Sequence, residues 1–141
     1  MDASEYSESG YNCAESVLLG LSDFLNEPCD CIPRIATGFG GGMKTGSVCG
    51  AVSGAVIAIG LHYGRKTAQD TEKRDLCYER VQEFLSAFKR EHQTIICRDL
   101  LGVDITTEEG RTQYKKGNLH KKCESCVATA FRIARTLLAA E

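Results

Sequence analysis

The sequence predicts an all-α fold: a compact single-domain bundle of four longer helices with short helices between them. Three observations support this prediction. The 141 residues include only two prolines and no tryptophan. No segment sustains the alternation of apolar and polar residues that is typical of a half-buried strand, and several segments repeat apolar residues at intervals of three and four. At this length, we expect one domain over residues 1–141.

The first long helix is predicted to begin after Asn12, because an asparagine followed three residues later by Glu15 is a capping-box pattern. Residues 26–28, with the sequence Asn-Glu-Pro, are predicted to end it. Its apolar positions follow a helical period, and we expect them to face the core. They are Val17, Leu18, Leu21, Phe24 and Leu25.

The second long helix is predicted to follow a glycine-rich loop at residues 38–46, which a short helical segment near residues 33–37 precedes. Ser47 is a candidate N-cap, and the helix should stop near residues 63–64. Small residues recur at every fourth position within it: Gly50, Gly54 and Ala58. One face of this helix therefore has almost no side chains, and we expect another helix to approach it closely.

The remaining helices are predicted from residue 67 onward. A long charged helix should cover residues 67–91, with a core stripe of Cys77, Val81, Phe84 and Phe88. Thr94 can cap a short helix that ends at Gly102. After a polar stretch around residues 106–109, the last helix should cover residues 118–140. Its stripe is Cys123, Val127, Ala130, Ala134 and Leu137.

Cysteine placement is the feature of this chain most directly related to chemistry. The chain has eight cysteines, at positions 13, 29, 31, 49, 77, 97, 123 and 126. Four come from distant segments and lie at or near predicted helix starts: Cys13, Cys49, Cys97 and Cys123. Exposed N–H groups and the positive end of the helix dipole stabilise a thiolate there, and the thiolate is the form that binds metals and attacks disulfides.

The other cysteines fit simpler interpretations. Cys77 is in register with the core stripe of its helix and is predicted to be a packing residue. Cys29 and Cys31 form a Cys-x-Cys pair in a loop, which is either a second site for a soft metal or has no special function. Cys126 makes a Cys-x-x-Cys pair with Cys123 at a helix start, an arrangement that lowers a thiol pKa in disulfide oxidoreductases.

Composition excludes several classes of function. The net charge of −2 gives no electrostatic basis for binding nucleic acid or an anionic membrane. The longest apolar run, residues 48–61, is too short to span a bilayer. No secretion signal is recognised at the start of the sequence, so we expect a cytoplasmic protein whose thiols are reduced. Met43 occupies the place of the second glycine of a Walker A motif, which argues against a nucleotide site.

An ordered set of motifs resembles a known family. The motifs are residues 10–17 (GYNCAESV), 38–43 (GFGGGM), 49–54 (CGAVSG) and 97–102 (CRDLLG), and a cysteine that opens the last helix. Together they resemble the C_GCAxxG_C_C family of redox-active proteins, named for four cysteines around a CGAxxG motif and related to the N-terminal part of split-Soret cytochromes. The resemblance covers nearly the whole chain. It implies redox chemistry.

The resemblance also implies which residues form the site. The four cysteines of the family correspond to Cys13, Cys49, Cys97 and Cys123 here. Cys123 is preferred because the family pattern resembles Cys-x-x-x-Val, which Val127 completes. Cys126, one helical turn away, remains the alternative for the fourth position.

The leading functional hypothesis is a protein for electron transfer or redox sensing in which these four cysteines bind an iron–sulfur cluster. Four thiolates suit such a cluster. Zinc is the other candidate, although structural zinc sites usually draw their ligands in close pairs, and a site without a cofactor is the third. Backbone amides of Gly40, Gly41 and Gly42 are expected to hydrogen-bond sulfur atoms of the cluster.

Two alternatives come from other classes. In the first, a thiol–disulfide redox protein uses Cys123 and Cys126, with Cys13 or Cys49 as the resolving partner. In the second, the chain is a non-catalytic interaction domain whose cysteines are structural. We expect a protein redox partner, which the sequence does not identify, and the sequence is compatible with a homodimer.

Overall fold

Helices make up the fold of the computed structural model, which describes residues 1–139. This part of the chain contains seven α-helices and no strand. The helices are α1 (Ala3–Glu8), α2 (Cys13–Leu25), α3 (Gly50–Tyr63), α4 (Thr71–His92), α5 (Cys97–Leu101), α6 (Glu108–Lys116) and α7 (His120–Ala139). The prediction of an all-α fold with four longer helices is confirmed.

The start of α2 agrees with its sequence signal. The Asn12 side chain accepts a hydrogen bond from the Glu15 backbone N–H, and the Glu15 carboxylate accepts one from the Asn12 N–H. The helix ends at Asn26, which has a left-handed conformation. Of the predicted core positions, Val17, Leu18 and Leu21 are fully buried, whereas Phe24 is exposed.

The core lies between α2, α3 and α7, and α4 packs across α3 and α7. Phe84 and Phe88 of α4 are fully buried, with ring centroids 6.2 Å apart. Near the end of α3, the Tyr63 hydroxyl donates a hydrogen bond to the Leu137 carbonyl near the end of α7, at 3.4 Å. Since the starts of these helices also meet, α3 and α7 run side by side in the same direction.

The small-residue face of α3 packs against the start of α2, as predicted. A Cβ atom added at Gly54 would overlap the carbonyl oxygen of Ala14, and one added at Gly50 would overlap the sulfur of Cys13. Ala58 is also fully buried. The two helices therefore approach each other more closely than any larger side chain would allow.

Several predicted boundaries are wrong. Ser47 does not cap α3: Cys49 is the N-cap residue, and the Ser47 carbonyl instead accepts a hydrogen bond from the Cys97 N–H at 2.7 Å. The polar stretch near residue 107 begins the helix α6, capped by the Thr107 hydroxyl. Helix α4 begins four residues later than predicted, at Thr71.

The remaining differences are small. Ile96 is the N-cap residue of α5, and Thr94 instead accepts a hydrogen bond from the Ile96 N–H. Helix α7 begins at His120, and the predicted final residue, Ala140, lies outside the described residues.

Two further observations bear on the sequence expectations. Cys29 and Cys31 are joined in a disulfide in the loop after α2, so this pair is neither a thiol metal site nor two free thiols. Among the described helices, none combines the length and the apolar character that a membrane span requires.

Candidate thiol site

Five free cysteines line one cavity of about 680 Å³ at the end of the bundle where α2, α3, α5 and α7 begin. We call it the thiol cavity. Its cysteines are Cys13, Cys49, Cys97, Cys123 and Cys126. Cys77 lies outside it on α4. The structure therefore brings together all four cysteines singled out from the sequence, together with the alternate fourth cysteine.

A short antiparallel pairing holds two of these thiols at the cavity. Val48 and Ile96 form an isolated β-bridge. The Cys49 N–H donates to the Ile95 carbonyl at 2.7 Å, and the Cys97 N–H donates to the Ser47 carbonyl at the same distance. These two bonds place the first residues of α3 and α5 next to each other.

Cys13, the first residue of α2, lies where α2 and α3 are in closest contact, with its sulfur above Gly50. Burial raises the pKa of the Cys13 thiol, and a hydrogen bond from the Gly41 backbone N–H acts in the opposite direction. The expectation that the glycine loop directs amides toward cysteine sulfur therefore has one structural counterpart, at Gly41.

The other two glycines of the predicted site have different neighbours. A Cβ atom at Gly40 would lie 2.6 Å from the side-chain nitrogen of Asn12, and one at Gly42 would lie 2.6 Å from the Ser47 nitrogen. Gly40 and Gly42 therefore allow the loop to pack against the chain, and only Gly41 of the three lines the cavity.

Cys49 is the most strongly activated thiol of the site. It is 7 % exposed and lies at the N-cap of α3. A hydrogen bond from Cys126 and backbone N–H groups of Val52 and Ala51 lower the pKa of Cys49 to about 7, although burial opposes them. A larger fraction of Cys49 is therefore thiolate at neutral pH than of a cysteine with an ordinary pKa.

Cys126 is the proton-bearing partner of Cys49. It is 4 % exposed and lies on the second turn of α7. Its hydrogen bond to Cys49 is the largest cause that raises the pKa of Cys126, and burial adds to the effect. The Cys126 thiol therefore donates a hydrogen bond to the Cys49 sulfur, and this bond connects α7 with α3.

Cys97 and Cys123 are held as neutral thiols. Burial, followed by the nearby Cys49, raises the pKa of Cys97 to about 12. Burial also raises the pKa of Cys123, while a hydrogen bond with the Tyr114 hydroxyl, 3.6 Å away, opposes the change. Tyr114 in turn contacts the His120 ring nitrogen Nδ1 at 3.4 Å.

The thiols suit a metal chemically but are not arranged to bind one in this structure. Four or five thiolates would be suitable donors for an iron–sulfur cluster or for zinc. Within residues 1–139, however, no group of three or more His, Cys, Asp or Glu side chains has an arrangement that could hold a metal ion.

The loop beside the cavity contains a left-handed turn. Four successive residues, Gly41, Gly42, Met43 and Lys44, have φ values of 64°, 63°, 59° and 57°. This conformation costs an L-residue about 1–2 kcal/mol, and two of the four are not glycine. Strain of this kind is maintained only where the surrounding structure imposes it, and it is concentrated at functional sites.

Sequence reasoning missed two features of the site. Tyr114 belongs to α6, whose sequence has no apolar stripe, although Thr107 provides a cap signal. The partnership of Cys49 with Cys126 joins two segments far apart in the sequence, and no local pattern indicates it. The sequence alternative instead used Cys123 and Cys126 as the pair, with Cys13 or Cys49 as the resolving partner.

Comparison with known proteins gives one match. A family model described as "Putative redox-active protein (C_GCAxxG_C_C)" matches residues 11–137. No curated protein and no solved structure matches the chain. The matched range contains all five cysteines of the thiol cavity.

Proposed function

The chain belongs to the C_GCAxxG_C_C family, and we propose that Cys49 and Cys126 are the redox-active dithiol of this member. One observation carries the proposal: Cys126 is hydrogen-bonded to Cys49, which lowers the pKa of Cys49 to about 7 and raises that of Cys126. An activated nucleophile beside a protonated partner is the arrangement that thiol–disulfide exchange requires.

The proposed reaction transfers two electrons from the dithiol to a disulfide. The Cys49 thiolate attacks one sulfur of the substrate disulfide, its S–S bond breaks, and the first thiolate leaves and takes a proton from water. Cys126 then loses its proton and attacks the Cys49 sulfur of the mixed disulfide. A Cys49–Cys126 disulfide forms, and the second substrate thiolate takes the proton that Cys126 gave up. A partner dithiol reverses the exchange and restores the reduced pair.

The surroundings of the pair support this assignment. Both thiols are almost completely buried, but both line the thiol cavity, through which a small disulfide can reach them. The backbone amides at the start of α3 stabilise the Cys49 thiolate both before attack and when it is the leaving group. A reducing compartment such as the cytoplasm would keep the pair in its dithiol state.

Thiol counting under controlled redox potential tests the proposal. Reduced protein is equilibrated with mixtures of oxidised and reduced dithiothreitol in the presence of a chelator, alkylated, and mapped by mass spectrometry. Apart from the Cys29–Cys31 pair, which mapping identifies separately, we expect a reversible loss of two thiols and a peptide pair joined through Cys49 and Cys126. Cys49→Ser and Cys126→Ser should each abolish this disulfide.

Cys77→Ser is the matched control, because Cys77 is a half-buried thiol on α4 outside the cavity. This variant should retain the two-thiol transition of the wild-type protein. The proposal is wrong if the reversible disulfide forms between Cys123 and Cys126, or if no cavity disulfide forms at any potential.

An iron–sulfur cluster held by Cys13, Cys49, Cys97 and Cys123 is the second candidate. The observation that favours it is the convergence of thiols from α2, α3, α5 and α7 on one cavity, where burial and, after it, the neighbouring cysteines raise the pKa of Cys97 and Cys13. Bound iron would relieve this repulsion and supply one-electron transfer for redox sensing or for an electron-transfer partner. Zinc at the same thiolates would be structural.

Anaerobic reconstitution with ferrous iron and sulfide distinguishes the two candidates. A cluster predicts visible absorption, with stoichiometric iron and acid-labile sulfide, that Cys97→Ser and Cys13→Ser each remove. Zinc would bind stoichiometrically without visible absorption. Because the dithiol requires neither Cys97 nor Cys13, those variants should retain the Cys49–Cys126 transition if the first proposal is correct.

A further inference from the structure

The charged side chains that line the thiol cavity are cationic, and the carboxylate nearest to them in the sequence of α7, Glu124, is paired with His120. Four cationic side chains line it: Lys44, Arg111, Lys115 and Lys122. Among the described residues that line the cavity there is no carboxylate. The whole sequence has 19 acidic and 17 basic residues, so composition alone does not explain this segregation. The four cations are exposed and therefore lie at the mouth, whereas Cys49 and Cys126 are buried beneath them.

Internal ion pairs do not account for these cations. Within residues 1–139, no carboxylate lies within salt-bridge distance of Lys44, Lys115 or Lys122. Arg111 donates one hydrogen bond, to the Ile105 carbonyl at 3.2 Å. A charged group without a partner near a concave apolar surface is available to bind a ligand of opposite charge.

The local structure directs these side chains toward the cavity. Arg111, Tyr114 and Lys115 are spaced by three and four residues, so they share one face of α6. Lys44 occupies the last position of the strained left-handed turn, with its side chain beside Gly41 at the cavity wall. Three separate segments, the glycine loop, α6 and α7, therefore supply positive charge to the cavity lining.

Below the charged mouth the cavity is apolar. Leu100, Leu101, Ile105 and Val127 contribute to its walls. At about 680 Å³ its volume lies in the range of small-molecule sites. A matching ligand would have negative charges at its ends and an apolar centre.

We infer that the thiol cavity selects small disulfides with terminal carboxylates, which the cations at its mouth bind while the S–S bond reaches Cys49. This inference deepens the proposed function and rests on it. The reaction balances as described above: one dianionic disulfide and two protein thiols give two carboxylate thiols and the Cys49–Cys126 disulfide. Both electrons pass from the protein to the substrate.

Three aliphatic disulfides of similar length and different charge test the selection: dithiodipropionate (anionic), hydroxyethyl disulfide (neutral) and cystamine (cationic). For each disulfide, the rate at which it oxidises the Cys49–Cys126 pair is divided by the rate at which it reacts with free mercaptoethanol. This ratio corrects for differences in intrinsic reactivity between the three disulfides. We expect the anionic disulfide to be at least about tenfold faster than the neutral one, and cystamine to be the slowest. Added salt should reduce the preference.

Charge variants connect the preference to the cavity. Lys115→Gln combined with Lys122→Gln should slow the anionic disulfide by roughly fivefold or more relative to the neutral one. Lys66→Gln, which removes an exposed lysine outside the cavity, is the matched control and should alter neither rate. Equal effects on both disulfides would mean that the lysines act on the fold and would overturn the inference.

Suberate tests the anion site without redox chemistry, because it is the analogue of dithiodipropionate with two methylenes in place of the sulfurs. It should slow alkylation of Cys49 by iodoacetamide, whereas neutral hexanediol should not. If suberate protects Cys49 from alkylation but no cavity disulfide ever forms, the proposed redox dithiol is wrong and the anion-binding site is correct. A cavity disulfide that forms at equal normalised rates with all three probes, without suberate protection, would refute the anion site and retain the dithiol.

Discussion

Helices α3 and α7 lie side by side, and the end of the pair where both helices begin differs from the end where both finish in its chemistry and its packing. At the end where both helices begin, Cys49 and Cys126 are hydrogen-bonded to each other and line the thiol cavity. At the end where both finish, Tyr63 and Leu138 are buried, and the Arg80 guanidinium lies over the Tyr63 ring. The same pair of helices thus provides a chemical site at one end and much of the packing at the other.

The difference follows from the groups that a helix leaves unpaired at its start. The first N–H groups of α3 have no carbonyl partner within the helix, and those of Ala51 and Val52 are directed toward the Cys49 sulfur. A carboxyl-terminal end offers carbonyl oxygens instead, which would repel a thiolate. The polarity of the helix therefore determines which end of the pair can activate a thiol.

A comparison of Cys77 with Cys49 separates the effect of burial on a thiol pKa from the effect of hydrogen bonds. Cys77, on α4, has a pKa that is raised by burial alone. Cys49 is more buried than Cys77, yet its pKa is lowered because hydrogen bonds outweigh desolvation. Burial therefore does not by itself decide the state of Cys49, because the hydrogen-bond donors around its sulfur outweigh the cost of desolvation.

The largest expected effect belongs to the packed region. Phe88→Ala should lower the free energy of unfolding by about 3–5 kcal/mol, because it leaves a cavity in a fully buried site. Urea denaturation followed by circular dichroism measures this loss. In the folded fraction, the alkylation rate of Cys49 should stay at the wild-type value. A loss below about 1 kcal/mol would show that the packed end contributes less than its burial indicates.

Gly54 and Gly60 both belong to α3, but only Gly54 lies where α2 approaches α3 closely. Gly54→Ala should destabilise the fold by about 1–3 kcal/mol, because the added methyl group overlaps the backbone of Ala14. Gly60→Ala is the matched control: a Cβ atom there meets no atom within 4 Å, and the change should stabilise α3 by about 0.5–1 kcal/mol. Thermal unfolding of both variants measures the contrast. Equal shifts in the two variants would contradict it.

The pH dependence of alkylation tests the activated thiol. The thiolate is the reactive form, so the rate at Cys49 should rise with pH and level off above about 7, whereas the rate at Cys77 should still be rising at pH 9. Cys126→Ala removes the principal donor, which should raise the pKa of Cys49 and slow its alkylation at pH 7 by about tenfold. Iodoacetamide labelling with peptide mass spectrometry measures both rates. If the pH dependence of Cys49 alkylation is unchanged in this variant, Cys126 does not lower the pKa of Cys49 through a hydrogen bond.

The smallest expected effect concerns strain in the loop. Met43→Gly should raise the free energy of unfolding by about 1 kcal/mol, because glycine adopts the left-handed conformation of residue 43 without steric cost. Ile35→Gly is the control, at an exposed position with an ordinary right-handed backbone, and should be slightly destabilising. Chemical denaturation compares the two. A destabilised Met43→Gly variant would show that the side chain of Met43 contributes more than its backbone strain costs.

Local signals determined much of the fold. The capping box of Asn12 and Glu15 fixed the start of α2, and the spacing of Gly50 and Gly54 predicted the close approach of another helix. Both rest on interactions within one or two turns of chain, which a sequence displays directly. The same holds for placing Cys13 and Cys97 at the starts of helices, since each is the first residue of one.

Tertiary structure decided which thiols became partners. Cys49 meets Cys126 because α3 and α7 run parallel, and it lies beside Cys97 because Val48 pairs with Ile96. Contacts between distant segments depend on how whole helices pack, and no pattern within one segment encodes them. Ser47 illustrates the limit, because serine is a residue type that favours the N-cap position. Its carbonyl instead accepts a hydrogen bond from the Cys97 N–H, and the N-cap residue of α3 is Cys49, the nucleophile of the proposed reaction.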